Sequence, residues 1–248
     1  MPPTSNNTPD DLGSRDLSLL IVAHGSESRP AAVAGLSDII VRLRQLDRFR
    51  DVAHATLAGG PDVASALRTL EGERVLVVPY FMSPGYFVET VLPDATADDP
   101  RVIITSAIGI SPHLAPALDV IAAELAAGAG WRQADCDLLL VGHGSPNDPS
   151  PRQATEAQAA RIGKNFSTVS TAFLEEPPYL ADVIAAAKRQ LACLGFFAAE
   201  GAHAAIDVPN ALKAAPIETR YSGAVGAHPV VNGALIAHID HATAELKD

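Results

Sequence analysis

The sequence predicts an α/β protein of two similar domains, each a parallel sheet flanked by helices, and three observations carry that prediction. Apolar runs such as Leu17–Ala23 and Leu138–Val141 are nearly unbroken, the pattern of a strand buried on both faces. Stretches with apolar residues at helical spacing alternate with them. The same landmarks then recur in one order. His24-Gly25-Ser26 and His143-Gly144-Ser145 each close an apolar run, and their spacing, 143 less 24, is 119 residues, which marks an internal duplication.

Met1–Asp16 is polar and carries Pro2, Pro3 and acidic residues. It has neither the basic nor the apolar region of a leader peptide, so residues 1–14 are expected to be a disordered tail. Leu17–Ala23 is the first strand. Ala31–Leu46 is expected to be a helix, with Val33, Leu36, Ile39, Ile40 and Leu43 on one stripe. Val75–Pro79 and Val102–Thr105 repeat the strand signature, and Ala115–Ala127 repeats the helical one. Gly128-Ala129-Gly130 interrupts the pattern, and Asp137–Val141 opens the second copy. Val78-Pro79-Tyr80-Phe81-Met82 then lines up with Leu194-Gly195-Phe196-Phe197-Ala198. Val91-Leu92-Pro93 matches Asp207-Val208-Pro209, and Ala107–His113 resembles Ala224–Pro229. The domains are therefore expected at 15–128 and 134–248.

Composition excludes several functions. With 18 Lys and Arg against 29 Asp and Glu, the net charge is −11, so no broad basic face for nucleic acid or anionic lipid is expected. No apolar run approaches the roughly 20 residues that span a bilayer. Cys136 and Cys193 form no CxxC pair, which fits a reducing compartment, the cytoplasm by default. The GxGxxG and GxxxxGK[ST] phosphate loops and the GxSxG elbow are absent, which weakens a phosphate-handling or hydrolytic reading.

In open parallel sheets ligands bind beyond the carboxyl ends of the strands, and both His-Gly-Ser motifs lie there. The glycine permits a close turn, while the serine is expected to cap the following helix. In the second copy, His143, Glu175 and His203 each follow a different strand. Two imidazoles and a carboxylate suit a divalent first-row metal, and three protein ligands leave a position open for exchange. The first copy keeps His24 but has Phe87 where His203 is expected and Ala58 opposite Glu175, so its site is degenerate. Phe87, with Tyr86 and Met82, either faces a flat aromatic ligand or belongs to the core. Asp207 is expected to orient local backbone, close enough to support a metal ligand. His54, His113, His228, His238 and His241 have no assigned role.

Together the motifs Val141-Gly142-His143-Gly144-Ser145, Phe173-Leu174-Glu175 and Gly201-Ala202-His203 through Asp207-Val208-Pro209 resemble the class II tetrapyrrole chelatases of the sirohydrochlorin type. The resemblance covers both halves. It implies two flavodoxin-like domains related by a pseudo-two-fold, a macrocycle in the cleft between them, and insertion of a divalent metal, Co²⁺, Fe²⁺ or Ni²⁺, into sirohydrochlorin in cobalamin or sirohaem biosynthesis. It implies His143, His203 and Glu175 as metal-site and catalytic residues, with Glu176 an alternative carboxylate. No tightly bound cofactor is implied, and the chain is expected to act as a monomer or homodimer. Ser145, Arg152, His24 and Phe87 are the candidates for substrate contact, and Arg29, Arg161 and Lys164 are further cations for the substrate's carboxylates. The alternative is a non-catalytic tetrapyrrole or metal carrier of the same fold.

Overall fold

The computed structural model describes residues 16–25 and 34–246. The expected tail at 1–14, and Ser26 and Arg29 after the first His-Gly pair, lie outside the described residues. The first half runs β1 (Leu17–Gly25), α1 (Ala34–Gln45), β2 (Val52–Ala58), α2 (Val63–Leu67), β3 (Arg74–Pro79), α3 (Leu92–Thr96), β4 (Val102–Ile104) and α4 (Ala115–Gly128). The second repeats the order as β5 (Asp137–Gly142), α5 (Ser150–Ala159), β6 (Val169–Phe173), α6 (Leu180–Ala186), β7 (Leu191–Gly195), α7 (Val208–Leu212), β8 (Thr219–Ala224) and α8 (Val231–Glu245).

Each half forms a four-stranded sheet, in the orders β2-β1-β3-β4 and β6-β5-β7-β8, and every pairing is parallel. Parallel central strands have no solvent face. That explains why Leu19–Val22 and Leu138–Val141 are apolar without alternation and wholly buried. The edge strand β8 reads Thr-Arg-Tyr-Ser-Gly-Ala and is mostly half-buried, because one edge meets solvent. No described helix is long and apolar enough to cross a membrane.

The last helix of each half reaches across to the other. α4 packs against β7 and β8 and beside α8. α8 in turn lines one pocket with Leu76, Ile103 and Ile104 of the first sheet through His238, His241 and Ala242. Residues of both halves, from Leu19 and Leu76 to Leu194 and Leu235, thus share a single core cluster. Polar groups register the joint. The Tyr80 hydroxyl donates to the Gly226 carbonyl at 2.5 Å. Buried Gln158 donates through Nε2 to the carbonyls of Gly109 at 2.8 Å and Ser111 at 2.9 Å. Asp119 accepts the Gly163 amide at 2.7 Å. Truncating a fully buried joint residue such as Leu235 to alanine costs about 2–5 kcal/mol by the usual core rule.

His238 sits in this joint, 4 % exposed, with Nδ1 3.2 Å from Ser111 Oγ and Nε2 3.0 Å from the Ser106 carbonyl. Burial holds its imidazole below the usual histidine value. The Ser106 carbonyl pulls upward against this, while His113 and His241 add smaller downward pushes and Glu245 a still smaller upward one. As pH falls, the unfolded chain takes up this proton first. The stability that neutral His238 contributes is therefore present above about pH 6.5 and lost below it. Thermal melts between about pH 7.5 and 5 are expected to show the midpoint falling through that window, and His238→Gln to flatten the fall. An equal fall in both proteins would contradict the assignment.

Candidate metal centre

The site begins where β5 ends. Gly144 has φ +73°, and a Cβ there would lie 2.8 Å from Glu176 Cγ and 2.9 Å from Phe173 Cβ. Only glycine makes this turn beside β6 without strain. The turn leaves the His143 carbonyl free to accept the amides of Leu174 at 3.1 Å and Glu175 at 3.0 Å, so two candidate ligands are tied together through backbone. The third arrives after β7, where a π-helical turn spans His203–Asp207.

One ligand atom from each of His143, Glu175 and His203 lies within 4.8 Å of the others, the one such group among the described residues. The imidazoles meet edge to face, with centroids 4.6 Å apart and planes at 88°, and Glu175 Oε2 lies 3.6 Å from His143 Nδ1. Their side chains are 44 %, 47 % and 41 % exposed in chain order, so the set is open to solvent. His143 Nδ1 is 2.8 Å from the Gly144 carbonyl, and His203 Nδ1 is 2.7 Å from Asp207 Oδ2. Both partners accept only, so each Nδ1 carries the proton and each Nε2 lone pair is free. Such a set could hold a divalent first-row metal with coordination positions to spare.

The adjacent carboxylates separate cleanly. Glu176 Oε1 accepts the Ser145 amide at 3.0 Å, and Oε2 accepts Arg152 Nε at 2.9 Å and Nη2 at 2.6 Å. Glu176 therefore braces the loop while Glu175 faces the imidazoles. Arg152 is committed too. Its guanidinium lies 4.7 Å over the Phe173 ring and donates to the Pro177 carbonyl, so its fork faces the loop and not the cleft. Arg161 and Lys164 follow the far end of α5. There Gly163 lies against Leu138 and Val169, which begin β5 and β6, at the opposite end of the strands from the candidate ligands. They are not placed to meet a substrate in the cleft, because α5 runs antiparallel to the strands it covers. Ser145 caps the turn before α5 and not α5 itself, its Oγ accepting the amides of Asn147 at 3.3 Å and Asp148 at 3.2 Å.

The first half is a near copy with different chemistry. His24 Nδ1 is 2.9 Å from the Gly25 carbonyl. Its ring meets Phe87 edge to face at 4.4 Å and 80°, and a π-helical turn spans Phe87–Val91. Ala23 pairs with Thr56 and Gly142 with Phe173, a register that puts Ala58 in the place of Glu175. Phe81, Met82, Tyr86 and Phe87 line one cleft with His143, Ser145 and Glu175. Tyr86 is 64 % and Phe87 39 % exposed, so these two rings belong to the cleft, while Met82 also packs against the core. The partnership of His203 and Asp207 was the feature least visible in the sequence, although their i, i+4 spacing was its signal.

The model of the family CbiX matches residues 18–125 and again residues 137–242. The chain belongs to the CbiX family. A probable sirohydrochlorin cobaltochelatase of Halobacterium salinarum is 26 % identical over 273 residues, covering 93 % of each chain. The solved structure of CbiX described as the terminal enzyme of sirohaem biosynthesis in denitrifying bacteria is 28 % identical, with TM-score 0.74 over 91 % of this chain and 99 % of that one. The sirohydrochlorin chelatase SirB of Bacillus subtilis, solved with cobalt, shares the fold at 16 % identity and TM-score 0.70, over 91 % and 94 % of the two chains. The two family matches fall on the two sheets, so this CbiX-family chain carries the family unit twice.

Gly144→Ala tests how far the centre depends on its turn. The left-handed backbone alone costs about 1–2 kcal/mol for a residue with Cβ, and the added methyl must displace Phe173 or Glu176. Urea denaturation is expected to show that loss, and titration with Co²⁺ to show weakened binding. An unchanged midpoint with unchanged binding would mean the turn does not position the ligands.

Proposed function

We propose that this chain inserts a divalent metal, cobalt or iron, into sirohydrochlorin, as a lyase of cobalamin or sirohaem biosynthesis. The observation that carries the reading is the converging His143, Glu175 and His203 set, two of whose members, His143 and Glu175, line one cleft with an exposed aromatic wall. The metal is the substrate. Its charge is offset by Glu175, while the two Nε2 atoms hold it loosely enough to release it. Each insertion expels two pyrrole protons as the metal enters, and the Nε2 lone pairs that the departing ion frees are suited to receive them. Phe87 and Tyr86 present a flat apolar surface for one face of the macrocycle, with His24 beside Phe87. In this reading the half at 134–248 carries the metal and the half at 15–128 the ring. One chain then supplies both walls, and a monomer suffices.

Ligand type admits Co²⁺, Fe²⁺ and Ni²⁺, and supply decides among them as much as affinity. Cys136 and Cys193 are both free and buried, and burial pushes both thiols up. Protonated, buried thiols suit a reducing cytoplasm.

The deciding experiment follows the absorbance of sirohydrochlorin with each metal on purified protein. Catalytic spectral change is expected, whereas saturable binding without turnover would identify a carrier. His143→Ala or His203→Ala is expected to reduce the insertion rate by about 10²–10⁴-fold, the range for a lost acid or base, with the fold intact by circular dichroism. His24→Ala is expected to cost far less. A variant of His143 or His203 that keeps the wild-type rate removes that residue from the mechanism.

A further inference from the structure

The two imidazoles of the centre are backed by different groups. The Nδ1–H of His143 donates to a neutral backbone carbonyl, Gly144, at 2.8 Å, as that of His24 does to Gly25 at 2.9 Å. The Nδ1–H of His203 donates to a carboxylate, Asp207, at 2.7 Å. We propose that Asp207 is a positioning residue which makes His203 the holding ligand of the metal and leaves His143 as the ligand that lets go first. This rests on the metal-site reading above.

Asp207 stands where an aspartate ordinarily has another task. It occupies the N-cap position of α7, yet its side chain makes no capping hydrogen bond. Its backbone is helical there, φ −69° and ψ −50°, because the π-helical turn runs directly into α7. The geometry that would aim a carboxylate at the helix amides is thereby lost, and the side chain turns one turn back to His203. It is not itself within the group of converging ligand atoms.

The duplicated half supplies a control within the same chain. The turn at Phe87–Val91 matches the turn at His203–Asp207, which puts Phe87 in the place of His203 and Val91 in the place of Asp207. The carboxylate is absent where its histidine is absent. The carbonyl-backed histidine, by contrast, is present in both halves.

A hydrogen bond to an ionised acceptor is shorter and about twice as strong as one between neutral groups. A carboxylate behind an imidazole also fixes the ring and makes Nε2 a better donor to metal. A centre that must give up its ion benefits from such inequality. The weaker His143 contact is the first to break as ring nitrogens compete, while His203 and Glu175 keep the ion in place.

The test measures Co²⁺ affinity of the full chain directly, by metal absorption without tetrapyrrole, and kcat and both KM values in the insertion assay. Asp207→Ala is expected to weaken Co²⁺ binding by about 10–100-fold and to leave the KM for sirohydrochlorin unchanged. Asp207→Glu restores most of the loss, and Asp207→Asn, which can accept the hydrogen bond without the charge, falls between. Added to His203→Ala, Asp207→Ala has no further effect, as residues acting as a unit require. His143→Ala costs less Co²⁺ affinity than His203→Ala. The proposal is overturned alone if His203→Ala abolishes Co²⁺ binding while Asp207→Ala stays within about twofold, if the two losses add, or if His143→Ala costs more affinity than His203→Ala. It falls together with the metal-site reading if His203→Ala leaves Co²⁺ binding intact.

Discussion

The carbonyl oxygen of His143 accepts two amides from the loop after β6, and the rest of the centre is arranged around that contact. It requires a turn that aims the carbonyl sideways at β6 directly after a buried strand, which is why Gly144 sits at φ +73° against Phe173 and Glu176. Glu175 is carried to the imidazole by backbone, not by a long side chain searching for a partner. The ion pair of Glu176 with Arg152 then closes the loop from the other side, so little rotamer entropy is left to lose when a ligand arrives. A site that must bind and release repeatedly gains from this division. Its frame is rigid and its ligating ends are half exposed.

The cleft needs a second constraint, because its walls come from different halves. A pair of self-contained domains on a linker would leave their spacing free. Exchange of the terminal helices removes that freedom. α4 lies on the second sheet and α8 lines a pocket with the first, so any opening of the cleft must disturb a common core that includes Leu118, Ile121, Leu235 and Ile239. The polar contacts of Gln158, Tyr80 and His238 add register to the joint.

Much of this was legible in the residues. Unbroken apolar runs mark buried parallel strands because both faces of such strands are covered, and the two His-Gly pairs marked the duplication and the strand ends. The choice between Glu175 and Glu176 was not legible. Neighbouring carboxylates look alike until one is seen to be consumed by Arg152, whose own part in the loop depends on a contact 24 residues away in sequence. Arg161 and Lys164 were misplaced because sequence proximity to His143 ignores the direction of α5, which carries the chain away from the site. The helix exchange was hidden for a similar reason. An apolar stripe reports that a helix face is buried, not which sheet buries it. Asp207 was read as orienting local backbone, with support of a metal ligand within its reach; its side chain makes no cap where a π-helical turn leads straight into the helix, and meets His203 instead.

On the proposed reading, the divergence of the two halves follows from what a cleft of this kind would contain. A flat macrocycle between two walls presents two unlike problems. One face must meet a cation with its lone pairs and charge, and the other must be held without competing for that cation. A second complete set of imidazoles and carboxylate opposite the first would offer the ion an alternative resting place and keep it from the ring. Replacing His203, Asp207 and Glu175 by Phe87, Val91 and Ala58 removes that competitor and supplies apolar surface in one step. His24 survives this change at little cost, because its Nδ1 is satisfied by the adjacent Gly25 carbonyl and its ring packs on Phe87. The fold's symmetry thus supplies two equivalent positions, and this chain fills one with a pair of imidazoles and the other with an imidazole packed on phenylalanine.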